Sequence, residues 1–208
     1  MRPAELDAVT IDAYGTLVEL ADPVPAMTEG LRAIGVDCDA DRVRRAFAKE
    51  VAYYRVRSHE GRDEATLYEL RRECVAVILH DLGSDVDPAA FVDGFVAALR
   101  FEPLPGTGES VERLRRLGLE VAVVSNWDVA LSEHLRGIGL DGLTVVTSAE
   151  AGAPKPDPAV FRLALERLGV RSERALHVGD SEADEEGARA AGMHFAPAPL
   201  VGAVEALA

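Results

Sequence analysis

Five polar residues stand where short apolar runs end. Asp12 closes Ala8-Val-Thr-Ile-Asp12, a β-branched run followed by Ala-Tyr-Gly-Thr. Ser125 and Asn126 follow the apolar run that starts at Glu120. Lys155 lies in Lys155-Pro-Asp-Pro158, and Asp180 closes Ala175-Leu-His-Val-Gly-Asp180. A carboxylate such as Asp12 can attack phosphorus or carbon and form a covalent ester. A phosphoryl group in transfer needs its charge neutralised, which Lys155 and the Ser125 hydroxyl could do in part and a metal in the rest. Mg²⁺ takes a few carboxylates, some backbone oxygen and several waters; Asp12 and Asp180 would supply the carboxylates.

The elements that must position these residues follow from the hydrophobic pattern. Strands are expected at Ala8–Asp12, Glu120–Ser125, Leu143–Thr147, Ala175–Asp180 and Met193–Ala196. Helices are expected at Val111–Leu117, Ala130–Ile138, Asp157–Leu168 and Asp184–Ala191. Continuous apolar strands alternating with helices imply a parallel sheet covered on both faces, hence an α/β fold. Ligands of such sheets bind at the carboxyl ends of the strands, so the five polar residues should converge at one edge. The stretch from about Pro23 to Phe101 is different, with helical spacing at Pro25–Ile34, Arg42–Arg57, Glu64–Leu82 and Pro88–Arg100. Asp39 and Asp87 suit N-caps, and Gly35 and Gly83 suit C-caps. We divide the chain into a core of residues 1–17 and 99–208 and an inserted helical cap of residues 18–98.

Each residue also has a plainer reading. Asp12 alone would be a turn residue, and Ser125-Asn126 alone a helix cap. Lys155 alone would be a solvated lysine. Asp184 would cap a helix starting at Glu185, and Asp157 reads as an N-cap. His177 sits inside an apolar strand and reads as a satisfied core histidine. Trp127 divides evenly between lining a pocket and packing. Tyr53, Tyr54 and Arg55 read as core packing with a snorkelling Arg.

Composition narrows the class of function. The 208 residues carry 22 Lys plus Arg against 36 Asp plus Glu, a net charge of −14. That balance argues against nucleic-acid partners and anionic membranes, both of which need a basic surface. The only cysteines, Cys38 and Cys74, lack metal-ligand spacing, and Cys74 falls in an apolar run. With no apolar N-terminal segment and no membrane-length run, the expectation is a cytoplasmic protein, monomer or homodimer, acting on a small molecule.

Four ordered motifs resemble those of the haloacid dehalogenase-like superfamily. They are Asp12-Ala-Tyr-Gly-Thr-Leu17, Val123-Val-Ser-Asn126, Lys155-Pro-Asp-Pro158 and Val178-Gly-Asp-Ser-Glu-Ala-Asp184. The resemblance runs from Asp7 to about Ala196. Ser125-Asn-Trp-Asp128 and His177-Val-Gly-Asp180 look most like the branch of haloacid dehalogenase-like hydrolase domain-containing protein 3. The resemblance implies a Rossmannoid core with a C1-type helical cap, and Asp12 as covalent nucleophile. It implies Ser125 and Lys155 as ligands of the transferred group. Mg²⁺ would sit on Asp12, Asp180 and the Tyr14 backbone carbonyl, with Asp184 supporting the metal or Lys155. Asn126, Thr16, Tyr14 and Trp127 would complete the substrate side, the substrate being a phosphorylated metabolite.

One position departs from that pattern. Phosphatases of the superfamily carry a second Asp two residues after the nucleophile, as general acid and base; here it is Tyr14. A phenol can donate a proton but is a poor base at neutral pH. Asp-x-Tyr-Gly-Thr resembles the 2-haloacid dehalogenases, whose leaving halide needs no proton. Against that, Gly179-Asp180-Ser181 is phosphatase-like, and Phe161 stands where those dehalogenases carry Tyr. Their haloacid-binding Arg has no unique counterpart among Arg42, Arg44, Arg45 and Arg55. Phosphate-ester hydrolysis is therefore placed first and dehalogenation second. A catalytically weak metal- or ligand-binding protein is the third reading.

Overall fold

The structure, a computed structural model, describes residues 5–207. It contains two compact units. One takes in the chain up to Glu19 and from Glu102 on, and the other is Leu20–Phe101.

The first unit is built on a parallel sheet of five strands. These are β1 (Ala8–Ile11), β4 (Glu120–Ser125), β5 (Thr144–Thr147), β6 (Ala175–Gly179) and β7 (His194–Pro197), in the order β5-β4-β1-β6-β7. Every pairing is parallel. All four residues of β1 and all five of β6 are buried, as strands covered on both faces must be. The flanking helices are α5 (Thr107–Arg116), α6 (Leu131–Gly137), α7 (Ser148–Ala151), α8 (Ala159–Leu168), α9 (Glu182–Ala190) and α10 (Leu200–Glu205). Register does the positioning. Ile11 is level with Val123 on one side and Val178 on the other. Asp12, Ser125 and Asp180 therefore leave the sheet within two residues of one another.

The second unit is helical: α1 (Val24–Ala33), α2 (Ala40–Arg57), α3 (Glu64–Leu82) and α4 (Val92–Ala98). Its core gathers Met27, Leu31, Val43, Ile78 and Phe91, with Cys74 buried among them. Asp39 caps α2 by accepting from the Arg42 amide, and Gly83 ends α3 in the left-handed conformation. Tyr53 and Tyr54 pack against this core.

Several boundaries differ from expectation. Val18–Leu20 and Phe101–Pro103 form a two-stranded sheet, β2 and β3, so the unit boundaries fall two or three residues beyond 17 and 98. The helix expected over Pro88–Arg100 is a short 3₁₀ turn, Pro88–Phe91, then α4, which stops at Ala98. Helix α9 begins at Glu182 with Ser181 as its cap, so Asp184 is not the cap of a helix from Glu185. Asp184 is instead the third residue of that helix, and its side chain bonds back to the Ser181 amide.

Candidate active site

Lys155 lies at the centre of the convergence. Its ammonium donates to Asp12 Oδ1 at 2.5 Å, to Asp184 Oδ1 at 2.5 Å and to the Val124 carbonyl at 3.2 Å. Three donors with three acceptors satisfy the group completely, which a buried ammonium requires. Burial alone would push Lys155 down, but Asp12 and Asp184 outweigh it and hold its ammonium above its ordinary value. Ser125 Oγ donates to the same Asp12 Oδ1 at 3.0 Å. Asp12, Ser125, Lys155 and Asp184 are all buried.

Asp184 is saturated with partners. Oδ1 accepts from Lys155 and faces His177 Nε2 at 3.1 Å; Oδ2 accepts from the Ser181 amide at 3.1 Å and the Ser181 hydroxyl at 2.5 Å. Burial would raise its pKa, but the bonds from His177 and Lys155 prevail and hold it well below the usual carboxylate range.

Asp180 is the exposed member of the group. Burial and the charges of Asp12 and Asp184 raise its pKa. Oxygens of Asp12, Asp180 and Asp184 lie within 4.8 Å of one another. Three carboxylates against one ammonium leave two formal negative charges, the charge a divalent cation would neutralise. These residues fit Mg²⁺ in donor type as well. With the four acceptor positions of Asp184 engaged, Asp12 and Asp180 are the carboxylates best placed to hold it.

Two glycines make room for this arrangement. A Cβ on Gly15, at φ +84°, would lie 2.2 Å from Asp180 Oδ2. A Cβ on Gly179 would lie 2.4 Å from Asp184 Cγ. Any side chain at either position would displace a carboxylate.

The remaining expected residues divide. Asn126 is turned to Lys155: Nδ2 donates to the Lys155 carbonyl and Oδ1 accepts from its amide. Tyr14 lies in the turn after β1 with its side chain 44% exposed. Thr16 is buried, and its hydroxyl has no hydrogen-bond partner among the described residues. Trp127 is buried with its ring tilted beside His134, 6.0 Å between centroids. Its carbonyl accepts from the Ala149 amide and the Ser148 hydroxyl. Asp157 bonds the Ala159 amide at the start of α8, as a capping residue does.

Sequence reasoning missed Ser181 and the bond between His177 and Asp184. Ser181-x-x-Asp184 has capping-box spacing and was readable. The His177 contact depends on a helix folding back onto its own strand, and no local pattern encodes it.

A parallel sheet with a buried carboxylate–lysine–carboxylate bridge at its strand ends defines a class, and comparison with known proteins agrees. Residues 6–192 match the family model of haloacid dehalogenase-like hydrolases, and the chain belongs to that family. It is 34% identical to haloacid dehalogenase-like hydrolase domain-containing protein 3 of Mus musculus, over 91% of this chain and 80% of the relative. It is 34% identical to the glyceraldehyde 3-phosphate phosphatase of Methanopyrus kandleri, over 56% of this chain and 54% of that one. Among solved structures, it resembles the L-2-haloacid dehalogenase from Xanthobacter autotrophicus with TM-score 0.66 and 28% identity, covering 92% of this chain and 77% of the other. Among the described residues, no helix is long and apolar enough to cross a membrane.

Proposed function

We propose that the protein hydrolyses a small phosphate ester through an aspartyl-phosphate at Asp12, with Mg²⁺ as its cofactor. The observation that carries this reading is the Asp12–Lys155–Asp184 bridge together with the unbalanced carboxylate of Asp180. A phosphate dianion needs cations around it, and the site supplies one ammonium and carboxylates fit for a divalent ion.

Ser125 and Lys155 both bond Asp12 Oδ1, which leaves Oδ2 as the attacking oxygen. Its attack forms an O–P bond as the ester O–P bond breaks, and the leaving alkoxide takes a proton. The Tyr14 hydroxyl is the donor we assign to that step. Water then attacks phosphorus and gives a proton to the Tyr14 phenolate, the Asp12–phosphorus bond breaks, and Asp12 returns as a carboxylate. Lys155 neutralises charge on the phosphoryl group in both steps, and Ser125 turns its hydroxyl from Asp12 to bond a phosphoryl oxygen. Mg²⁺ on Asp12, Asp180 and the Tyr14 carbonyl would screen the remaining negative charge. Thr16 and Trp127 stay assigned to the substrate side.

Dehalogenation is the second reading, favoured by Tyr14 at the position where the resembling phosphatases carry Asp. A panel of phosphate esters and 2-haloacids, each with and without Mg²⁺, separates the two. We expect Mg²⁺-dependent phosphate release, abolished in Asp12→Asn with the fold retained. Metal-independent halide release from 2-chloropropionate, with no phosphate released from any ester, would replace this reading with the second.

A further inference from the structure

His177 occupies the middle of β6, where every residue is buried. It is fully enclosed, yet both ring nitrogens are used. Nδ1 lies 2.8 Å from the Thr10 hydroxyl on the neighbouring strand β1, and Nε2 lies 3.1 Å from Asp184 Oδ1. The ring is further held edge-on by Phe161, 4.8 Å between centroids. Side chains two apart on a strand share a face, so His177 and Gly179 address the same space. Gly179 vacates it, since a Cβ there would overlap the Asp184 carboxylate. His177 supplies a polar contact within it. The pattern His-x-Gly on β6 therefore forms a seat for Asp184.

The tautomer follows from the partners. Asp184 Oδ1 also accepts from Lys155, so Nε2 donates to it. Nδ1 then accepts from the Thr10 hydroxyl. The result is a buried relay running Thr10, His177, Asp184, Lys155, Asp12.

We propose that His177 is a positioning residue: anchored by Thr10, it fixes the Asp184 carboxylate, which in turn holds Lys155 against Asp12. Its effect on turnover rests on the reading of Asp12 and Lys155 as the reacting groups, whereas its effect on Asp184 geometry does not. A partner that orients such a carboxylate typically contributes about 10- to 100-fold to activity.

The test compares His177→Leu, His177→Gln and Thr10→Val by crystal structure and by Mg²⁺-dependent hydrolysis of p-nitrophenyl phosphate. In His177→Leu we expect the distance from Asp184 Oδ1 to Lys155 Nζ to open beyond about 3.2 Å. We expect kcat to fall about 10- to 100-fold with KM little changed. His177→Gln, whose amide nitrogen reaches the Nε2 position, should restore the carboxylate and most of the rate. Thr10→Val should lose about 3- to 10-fold, as for one hydrogen bond. An undisplaced Asp184 in His177→Leu, or parental kcat there, would overturn the proposal. If His177→Leu does not fold, the other two variants decide: a folded Thr10→Val with parental geometry and kcat overturns it. If the parent hydrolyses no phosphate ester, the proposed function fails alone, and the crystal structures still judge the role of His177.

Discussion

Asn126 grips Lys155 on both sides of its backbone: Nδ2 donates to the Lys155 carbonyl at 3.1 Å and Oδ1 accepts from its amide at 2.7 Å. The strand end at Ser125 thereby fixes the loop that delivers the ammonium to Asp12. Substrate contact, expected of Asn126 from its place beside Ser125, is not needed to explain a requirement for it. We expect Asn126→Ala to lower kcat/KM on the best phosphate ester about 10- to 100-fold. It should also cost about 1–3 kcal/mol of stability, because it strands two backbone groups. Parental turnover in this variant would show that the clamp is dispensable.

Gly15 and Asp180 are interlocked in the same way. At φ +84°, with Asp180 Oδ2 only 2.2 Å from where a Cβ would sit, Gly15 can accept no side chain without moving the carboxylate. Gly15→Ala should destabilise the fold by about 1 kcal/mol or more. More tellingly, it should weaken Mg²⁺ binding, measured by calorimetry, while leaving the parallel sheet intact. Unaltered Mg²⁺ affinity would detach Asp180 from the metal.

Asp180 also sets a pH dependence. Burial and the charges of Asp12 and Asp184 raise its pKa, so it takes up a proton at higher pH than an ordinary carboxylate. A Mg²⁺ held by Asp180 would need its ionised form, so affinity should fall on acidification sooner than a free carboxylate would dictate. Asp180→Asn should weaken Mg²⁺ at all pH values, by about tenfold or more, and flatten that fall. A Mg²⁺ affinity constant from neutral pH down to the ordinary carboxylate range would contradict the assignment.

The parts of this molecule legible from sequence are those encoded by long runs of one kind. Glu120–Ser125 and Glu64–Leu82 fall where the apolar pattern puts them, and the residues that end the strands converge as the topology rule requires. Several short elements escaped. The sheet of Val18–Leu20 and Phe101–Pro103 is too short to show a period of two, and Ser148–Ala151 completes one helical turn. In the site, Ser125 was legible as a partner of Asp12 because it ends a strand, whereas Lys155 follows the short helix α7 and was legible through its motif. The roles of Asn126 and His177 were not, because both depend on which atom faces which after folding. An Asn beside a Ser reads equally as a ligand or a clamp until the Lys155 backbone lies against it.

Glu50 offers a test remote from the chemistry. It occupies the buried face of α2 with Val43 and Ala46, and is 3% exposed. Burial is the dominant cause that pushes its carboxyl up from 4.5 to about 7, opposed in part by a bond with Cys74. The folded state therefore favours neutral Glu50. Below about pH 4.5 the side chain is protonated in both folded and unfolded chains, and its burial carries no ionisation penalty. As pH rises toward 7 the unfolded chain ionises first, and stability drains away until the folded pKa is passed. Glu50→Gln keeps the shape and an acceptor for the Cys74 thiol but cannot ionise. It should match the parent near pH 4.5 and exceed it by about 3 kcal/mol at pH 8. Urea unfolding of both proteins across that range, read by circular dichroism, measures the difference. A gap that stays constant with pH, or a parent that is the more stable at pH 8, would show that Glu50 is ionised in the fold.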